Sequence, residues 1–577
     1  MLDAETFTLL SRKGVFPYDY IDCEEKLNET ELPGIDKFYN KINDSNISND
    51  DYELAKRVWA KFNISTLGQY SDLYMKTDIL LLADVFEHFR QKCLNIYQLD
   101  PANYYTLPGY TWDCMLKYTK IELDYLKDVD MLLFMDRGIR GGVSQCCNRY
   151  AEANNKFMSS YDYSKPSKYL MYFDVNNLYG WAMSQYLPYG GFEWVDPNID
   201  VTMVSDTSSE GYILEVDLEY PEHLHDEHKD LPLCPEHLTP PNSKLPKLMT
   251  TLYPKSRYII HYRNLKQALS LGVKLIKIHR VLKFKQADWL KAYIELNTKL
   301  RAQSTNEFEK NLYKLLINAI FGKTMENIRK HRIIKLKNHW DGQWGAKHFI
   351  ASPNFHSSKI FGEDLVAIEL NKSEICFNKP LYVGMCILDI SKTCVYDFHY
   401  NFMLSKLGDE CKLLYTDTDS LIYQVTCDNV YDLLIQNLHK FDTSDYEPNN
   451  KYNIPLVNKK VPGLMKDECC GAIMTHFVGL RSKMYSILID GKSTIKKSKG
   501  VKKNIVKNSI TFDDYKNCLD NKTELYRKQR TIQSTLHNVF SVEQTKLALS
   551  AADDKRFLLN DTHDTLPWGH YSIDSML

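Results

Sequence analysis

No Cys-x-x-Cys pair occurs anywhere in the 577 residues, although fourteen cysteines are scattered along them, with doublets at Cys146-Cys147 and Cys469-Cys470. That absence excludes a zinc ribbon or an iron–sulfur site of the usual ligand spacing. The cysteines suggest no disulfide framework, so free thiols in a reducing compartment are expected. There is no apolar run of about eighteen residues, so no membrane-spanning helix is expected. The opening residues Met1-Leu2-Asp3-Ala4-Glu5 are acidic and carry no signal or transit pattern. Low-complexity segments and internal repeats are missing as well. Charge of one sign is not in excess, since 72 Lys and Arg stand against 74 Asp and Glu. The chain as a whole is therefore no basic sleeve, and any electropositive surface must be local. Its length suggests about three or four domains with sizeable cores.

Local charge is present. From Arg481 to Lys507 there are nine Lys or Arg and one acid, Asp490. Such a run is either a solvated face or, beside a site that handles phosphates, a phosphate-contacting one. Upstream of it, Tyr415-Thr416-Asp417-Thr418-Asp419-Ser420 sets two carboxylates two residues apart. The flanks, Lys412-Leu413-Leu414 and Leu421-Ile422-Tyr423, read as two short strands around a tight turn. On an extended backbone residues i and i+2 share a face, so Asp417 and Asp419 are expected to project together toward one divalent ion. Hard oxygen ligands at a hairpin tip suit Mg²⁺, which takes one or two carboxylates plus substrate phosphates. Asp and Thr also favour turns for purely local reasons, so the tripeptide alone assigns nothing.

Other elements accompany it. Tyr169-Leu170-Met171-Tyr172-Phe173-Asp174 reads as a buried strand that ends on an acid and then turns through Val175-Asn176-Asn177. Lys310, Lys314, Asn318 and Phe321 fall at i, i+4, i+8 and i+11 of a helical segment and share one face. By itself this is an ordinary amphipathic helix with a solvated lysine face. Tyr74 and Asp78 lie one helical turn apart in another helical stretch, where an exposed Asp is the plain reading. His223, His225 and His228 stand among Glu222, Asp226, Glu227 and nearby prolines without regular ligand spacing, and are expected in a solvated loop.

The order of these elements is what decides between readings. A strand-end Asp174, then a helix with Lys310 and Lys314 running into Asn318-x-x-Phe321-Gly322, then Asp417-Thr418-Asp419, resembles the three polymerase motifs of the family B DNA polymerases. Lys483-Met484-Tyr485 resembles that family's Lys-x-Tyr motif. Ile139-Arg140-Gly141-Gly142 resembles its Tyr-x-Gly-Gly element, with Ile139 where Tyr is usual. Asp174-Val175-Asn176-Asn177-Leu178-Tyr179-Gly180, followed by Leu187-Pro188-Tyr189-Gly190, looks most like the protein-primed branch of the family, and within it the Polinton/Maverick-like group. The cysteine modules of the nuclear replicative members are missing here. The resemblance covers the chain from about Tyr74 to Lys507 and more weakly beyond.

The resemblance implies an α/β (α+β) fold, a right-hand polymerase of palm, fingers and thumb plus a remnant of a 3′–5′ exonuclease domain. It implies this order of parts: an exonuclease remnant over 1–100, the first part of the palm over 101–185, an insertion like the terminal-protein region over 186–284, and fingers over 285–328. A second insertion of strand-displacement type follows over 329–380, then the second part of the palm over 381–505 and a thumb over 506–577. It assigns Asp174, Asp417 and Asp419 as catalytic, with Asp174, Asp419 and the Val175 carbonyl as metal ligands for two Mg²⁺ ions, Mn²⁺ serving as a substitute. Tyr179, Arg301, Lys310, Lys314, Asn318 and Phe321 would bind the nucleotide, with Arg301 on the same fingers segment as the lysines and Tyr179 excluding ribonucleotides. Arg140, Gly141, Gly142, Lys483, Tyr485 and Lys499 would bind DNA.

Tyr74 and Asp78 match the third exonuclease motif, but the first two motifs are not found in residues 1–73. An N-terminally truncated member without proofreading is therefore expected. Template and primer DNA, dNTPs and a terminal priming protein are the expected partners, with no membrane. Residence in the nucleus is expected from the transposon and virus relatives, the mitochondrion being the alternative. The competing reading is a catalytically inactive DNA-binding remnant of a mobile element or virus.

Overall fold

The near-continuous apolar run Tyr169–Phe173 forms what such runs favour, a strand buried on both faces. In the computed structural model, which describes residues 3–241, 243–490, 493–535, 537–560 and 562–576, this strand spans Lys168–Val175. It lies inside a ten-stranded sheet. The strand Ser420–Thr426 pairs with it antiparallel, in a register that sets Ser420 opposite Asp174 and Thr426 opposite Lys168. The strand Cys411–Asp417 is the other arm of that hairpin. Ser144–Cys146 pairs with its far edge, Ser144 opposite Asp417.

The pleat sorts the side chains. Tyr169, Met171, Phe173 and Val175 join one apolar cluster with Leu421, Tyr423 and Val425, while Leu170 joins another with Ile422, Phe477 and Tyr485. Tyr172 and Asp174 continue the second face. The first face is covered by the helix Leu381–Tyr396 and its continuation Asp397–Leu404, a π-helical stretch, through Phe398 and Phe402. Mixed helix and sheet is the architecture expected.

The segment expected as the first insertion, 186–284, builds a second sheet whose last strand runs on to Ala287, in the order Leu187–Val195, Lys274–Ala287, Glu210–Glu219, Lys255–His261. Leu214, Val216, Ile260 and Val281 of this sheet belong to the same apolar cluster as Phe173 and Tyr423, so the two sheets share one core. Residues 285–328, expected as fingers, form two helices, Lys291–Gln303 and Glu307–Thr324, referred to below as the first and second fingers helices. Asn306 caps the second, its side chain accepting the Glu309 N–H at 2.9 Å. Residues 332–371 form a three-stranded sheet of their own with a small core of Ala346, Val366, Ile368 and Leu370.

The chain divides into two compact units. The larger comprises 106–499, 511–525 and 547–577, and holds all the sheets above. The smaller comprises 1–105, 500–510 and 526–546. Residues 506–577, expected as one small thumb, are thus split between the two. Within the smaller unit the main elements of the first hundred residues are the helices Asn49–Lys61 and Leu67–Tyr97, packed around Ala55, Ile64, Leu67 and Tyr70.

Candidate active site

The hairpin tip is tighter than simple strand alternation. The first arm ends at Asp417 and the second starts at Ser420, so Thr418 and Asp419 form the turn. Asp419 N–H donates to the Asp417 carbonyl at 2.8 Å, and Thr418 has φ +65°. This is the strained form of a γ-turn, with a β-branched residue where few sit. Its surroundings hold it: Thr418 N–H donates to the Val143 carbonyl at 2.7 Å, and a Cβ on Gly142 would collide with the Thr418 side chain. The shared-face expectation for Asp417 and Asp419 is therefore corrected, because the turn, not the pleat, sets Asp419. The strand after Asp174 is tied to the same tip, Val175 N–H donating to the Asp419 carbonyl at 2.7 Å.

A cavity of about 570 Å³ opens at this tip, lined among others by Tyr172, Asp174, Tyr179, Asp417, Asp419 and Lys483. Asp174 is pushed up to about 8, first by burial, then by the charges of Asp419 and Glu468, against the pull of Lys466 and Lys314. Asp419 is also raised, mainly by burial, with Asp417 adding to it and Lys314 and Lys483 opposing. Lys483 Nζ forms an ion pair with Asp417 Oδ1 at 3.0 Å. Two half-buried carboxylates that repel each other, beside a third, suit a cation. Among the described residues no group of three or more His, Cys, Asp or Glu is placed to hold an ion alone.

Aromatic rings close the other side. Tyr179 stacks on Phe321 with ring centroids 4.5 Å apart, joining the short helix Leu178–Met183 to the second fingers helix. On that helix Lys314 and Asn318 are exposed, Leu316, Ile317 and Ile320 are buried, and Lys310 pairs with Glu307 at 2.7 Å. A family model for DNA polymerase type B, organellar and viral, matches residues 3–404.

The chain belongs to that family.

Among solved structures the polymerase is similar to Phi29 DNA polymerase in an orthorhombic crystal form, with TM-score 0.51 and 17% identity over 93% of this chain and 79% of that one. The Phi29 enzyme complexed with primer-template DNA and incoming nucleotide substrates matches with the same figures, TM-score 0.51, 17%, 93% and 79%. Its complex with single-stranded DNA gives TM-score 0.50, again at 17% identity over 93% and 79%. At this identity the likeness is one of fold. A search of curated protein sequences returned no match.

Several residues of the polymerase stand elsewhere than its sequence suggested. Arg140 is buried, its guanidinium 3.7 Å from the centre of the Tyr258 ring and donating to the Ile259 carbonyl at 2.7 Å. It braces the turn before Gly141 and Gly142, donating also to the Gly138 carbonyl at 3.3 Å. Gly142 packs on the hairpin tip, while nothing stands close to Gly141. Tyr485 is buried too; its ring lies 4.6 Å from that of Tyr415 and its hydroxyl 3.3 Å from that of Tyr172. It lines the cavity floor as part of the core. Lys499 lines the cavity with Lys497, which the motifs did not single out.

Arg301 is not on the helix of Lys310 and Lys314 but near the end of the preceding one, half-buried. The run Ser304-Thr305-Asn306 breaks the segment, and Asn306 with Glu309 was a legible helix start. His225 and His228 are buried rather than solvated: Tyr220 bonds His228 Nδ1 at 2.6 Å, and Tyr571 N–H donates to His225 Nδ1 at 3.1 Å. Burial lowers His228 to about 4, as a neutral core histidine. In the smaller unit, Tyr74 stacks on Phe16 at 5.1 Å and bonds the Tyr18 hydroxyl at 2.8 Å, with Asp78 on the same helix.

Proposed function

We propose that this polymerase catalyses template-directed addition of dNTPs to a 3′ hydroxyl, or to a hydroxyl of a terminal protein, by two-metal phosphoryl transfer. The observation that carries the reading is the convergence, in one cavity, of Asp174, Asp417 and Asp419 from strands that are remote in sequence. Asp174 and Asp419, with the Val175 carbonyl, would hold Mg²⁺, or Mn²⁺ in its place. When bound, such ions lower the pKa of the attacking hydroxyl and neutralise charge on the leaving phosphates.

The chain's own residues do the positioning. Lys314, whose charge reaches both Asp174 and Asp419, grips the triphosphate with Lys310 and Arg301. Tyr179, backed by Phe321, lies under the sugar and leaves no room for a 2′ hydroxyl. Asn318 and Phe321 flank the nascent base pair. Lys483 and Lys499 contact the primer backbone, and Tyr485 shapes the floor beneath it. The ternary and single-stranded DNA complexes of the Phi29 enzyme support template, primer and nucleotide as partners here.

Priming by a protein, residence in the nucleus, with the mitochondrion as the alternative, and the division into palm, fingers, insertions and thumb are proposed on the family resemblance. Primer extension with dNTPs and Mg²⁺, comparing the wild type with Asp419→Ala, tests the reading. Extension by the wild type and a loss of at least about a thousandfold in the variant are expected. DNA binding without extension by the wild type would instead support the inactive remnant.

A further inference from the structure

The loop joining the short strands Phe441–Asp442 and Met465–Asp467 carries Lys459 and Lys460, which belong to none of the motifs above. Its return half is fastened to the strand end that bears Asp174. Gly463 N–H donates to the Asn176 carbonyl at 2.8 Å, and Asn176 N–H donates to the Leu464 carbonyl at 2.9 Å. The Asn176 side-chain amide and the Lys460 N–H share one acceptor, Oδ2 of the buried Asp442, each at 2.7 Å. Lys460 adopts φ +58°, a conformation that a lysine rarely takes without such fastening. On its other side the loop meets the first fingers helix. Pro462 lines a groove with Ile294, Thr298 and Ala302, the last of these adjacent to Arg301. A Cβ on Gly463 would collide with Trp181, so the loop is seated tightly there.

That groove sets the loop of Lys460 against the first fingers helix beside Arg301, and Lys310 lies in the opening turn of the second. In keeping with this seating, burial and then the like charges of Arg301, Lys459 and Lys310 depress Lys460. Few acids answer them. Glu307 pairs with Lys310 at 2.7 Å, and Asp445 is engaged by Lys466 at 2.8 Å. Arg301 keeps a buried Nε that donates to no acceptor among the described residues. Like charges held together by a fixed backbone and short of acceptors are a seat for a polyanion. The cations of the main cavity, Lys483, Lys497 and Lys499, form a separate set that does not include Lys460.

We propose that Lys460 is a palm-side ligand of the incoming nucleotide's terminal phosphates, facing Arg301 and Lys310 of the fingers. The inference rests on the nucleotide-site reading above and adds to it a residue outside the polymerase motifs.

Single-nucleotide insertion on one fixed primer–template, with Lys460→Ala and Lys460→Arg, tests it. Lys460→Ala should raise KM for the dNTP about tenfold, the scale of one charge-assisted contact, with the primer–template Kd unchanged. Lys460→Arg should restore most of the affinity, which a purely structural role of the loop would not. A raised primer–template Kd with an unchanged dNTP KM overturns the proposal and gives Lys460 to DNA. An unchanged KM and Kd overturns it as well. If the wild type does not extend, equilibrium binding of a fluorescent dNTP replaces KM: a tenfold loss in Lys460→Ala supports the ligand role even though catalysis fails. A wild type that neither inserts nor binds dNTP overturns both the inference and the reading beneath it.

Discussion

Asp174 carries an electrostatic load that the fold imposes on it. Burial and the neighbouring charge of Asp419 lift it from 3.8 to about 8. Between those values the folded chain holds a proton that the unfolded chain has lost, so metal-free stability falls as pH rises across that window. Asp174→Asn removes the titration. In EDTA, the wild-type melting temperature should drop more steeply between pH 5 and 8 than that of the variant; parallel curves would mean that Asp174 ionises as freely as an exposed carboxylate. Tyr179 is the second residue with a measurable consequence, because Phe321 pins its ring at 4.5 Å. Tyr179→Val should reduce discrimination against ribonucleotides by about tenfold or more, read as the ratio of kcat/KM for dNTP and NTP. Unchanged selectivity would remove Tyr179 from the sugar gate. Asp174, Tyr179 and Lys314 were legible because each stands in a motif that resembles one of the family B polymerases. Lys460 was not, since only a fold that brings Asp442, Asn176 and the fingers helix together gives it a role.

At the scale of elements, the three-stranded sheet of residues 332–371 is a self-contained insert. Its terminal residues Arg332 and Asn371 are direct partners in the ladder, and such partners lie about 5 Å apart. Its apolar contacts are its own, through Val366, Ile368 and Leu370. Replacing 332–371 by a linker of about three Gly or Ser residues should therefore leave a folded chain. That variant should extend primers on single-stranded template within about threefold of wild type, and stall where the template becomes duplex, as a strand-displacement insert would require. A gel-based extension assay on gapped and open templates separates the two; loss on both would make the insert part of the catalytic body. The hairpin shows where element-level reading stops. Two strands around a turn were legible from short apolar runs flanking turn residues, but the strained Thr418 conformation depends on Val143 and Gly142, far upstream in sequence. Buried His225 and His228 misled for the same reason: the segment is locally polar, and Tyr400 and Tyr571, which pack against them, come from remote parts of the chain.

For the molecule as a whole, the two compact units are threaded by one chain that returns to the smaller unit twice, through 500–510 and 526–546. In that unit Lys502 Nζ donates to the Ile42 carbonyl at 3.1 Å, joining residues more than four hundred positions apart. The family resemblance matches Tyr74 and Asp78 to the third exonuclease motif, and Tyr74 is engaged by Phe16 and Tyr18. A two-metal nuclease needs several converging carboxylates. This chain, assayed by itself with a 5′-labelled primer bearing a mismatched 3′ end, should leave the primer uncut in Mg²⁺ without dNTPs. Stepwise shortening that survives Asp78→Ala would point to nuclease ligands outside that helix.

What the sequence by itself determined is the set of chemical groups and their local setting: an acid at a strand end, paired acids at a turn, and lysines along one helix face. Periodicity and turn chemistry act within a few residues, so these are written into the chain directly. Tertiary structure alone decided that Arg140 and Tyr485 are buried and that the 506–577 segment is divided between two units. Burial and convergence are properties of surfaces meeting from distant parts of the chain, and no local pattern encodes which surfaces will meet.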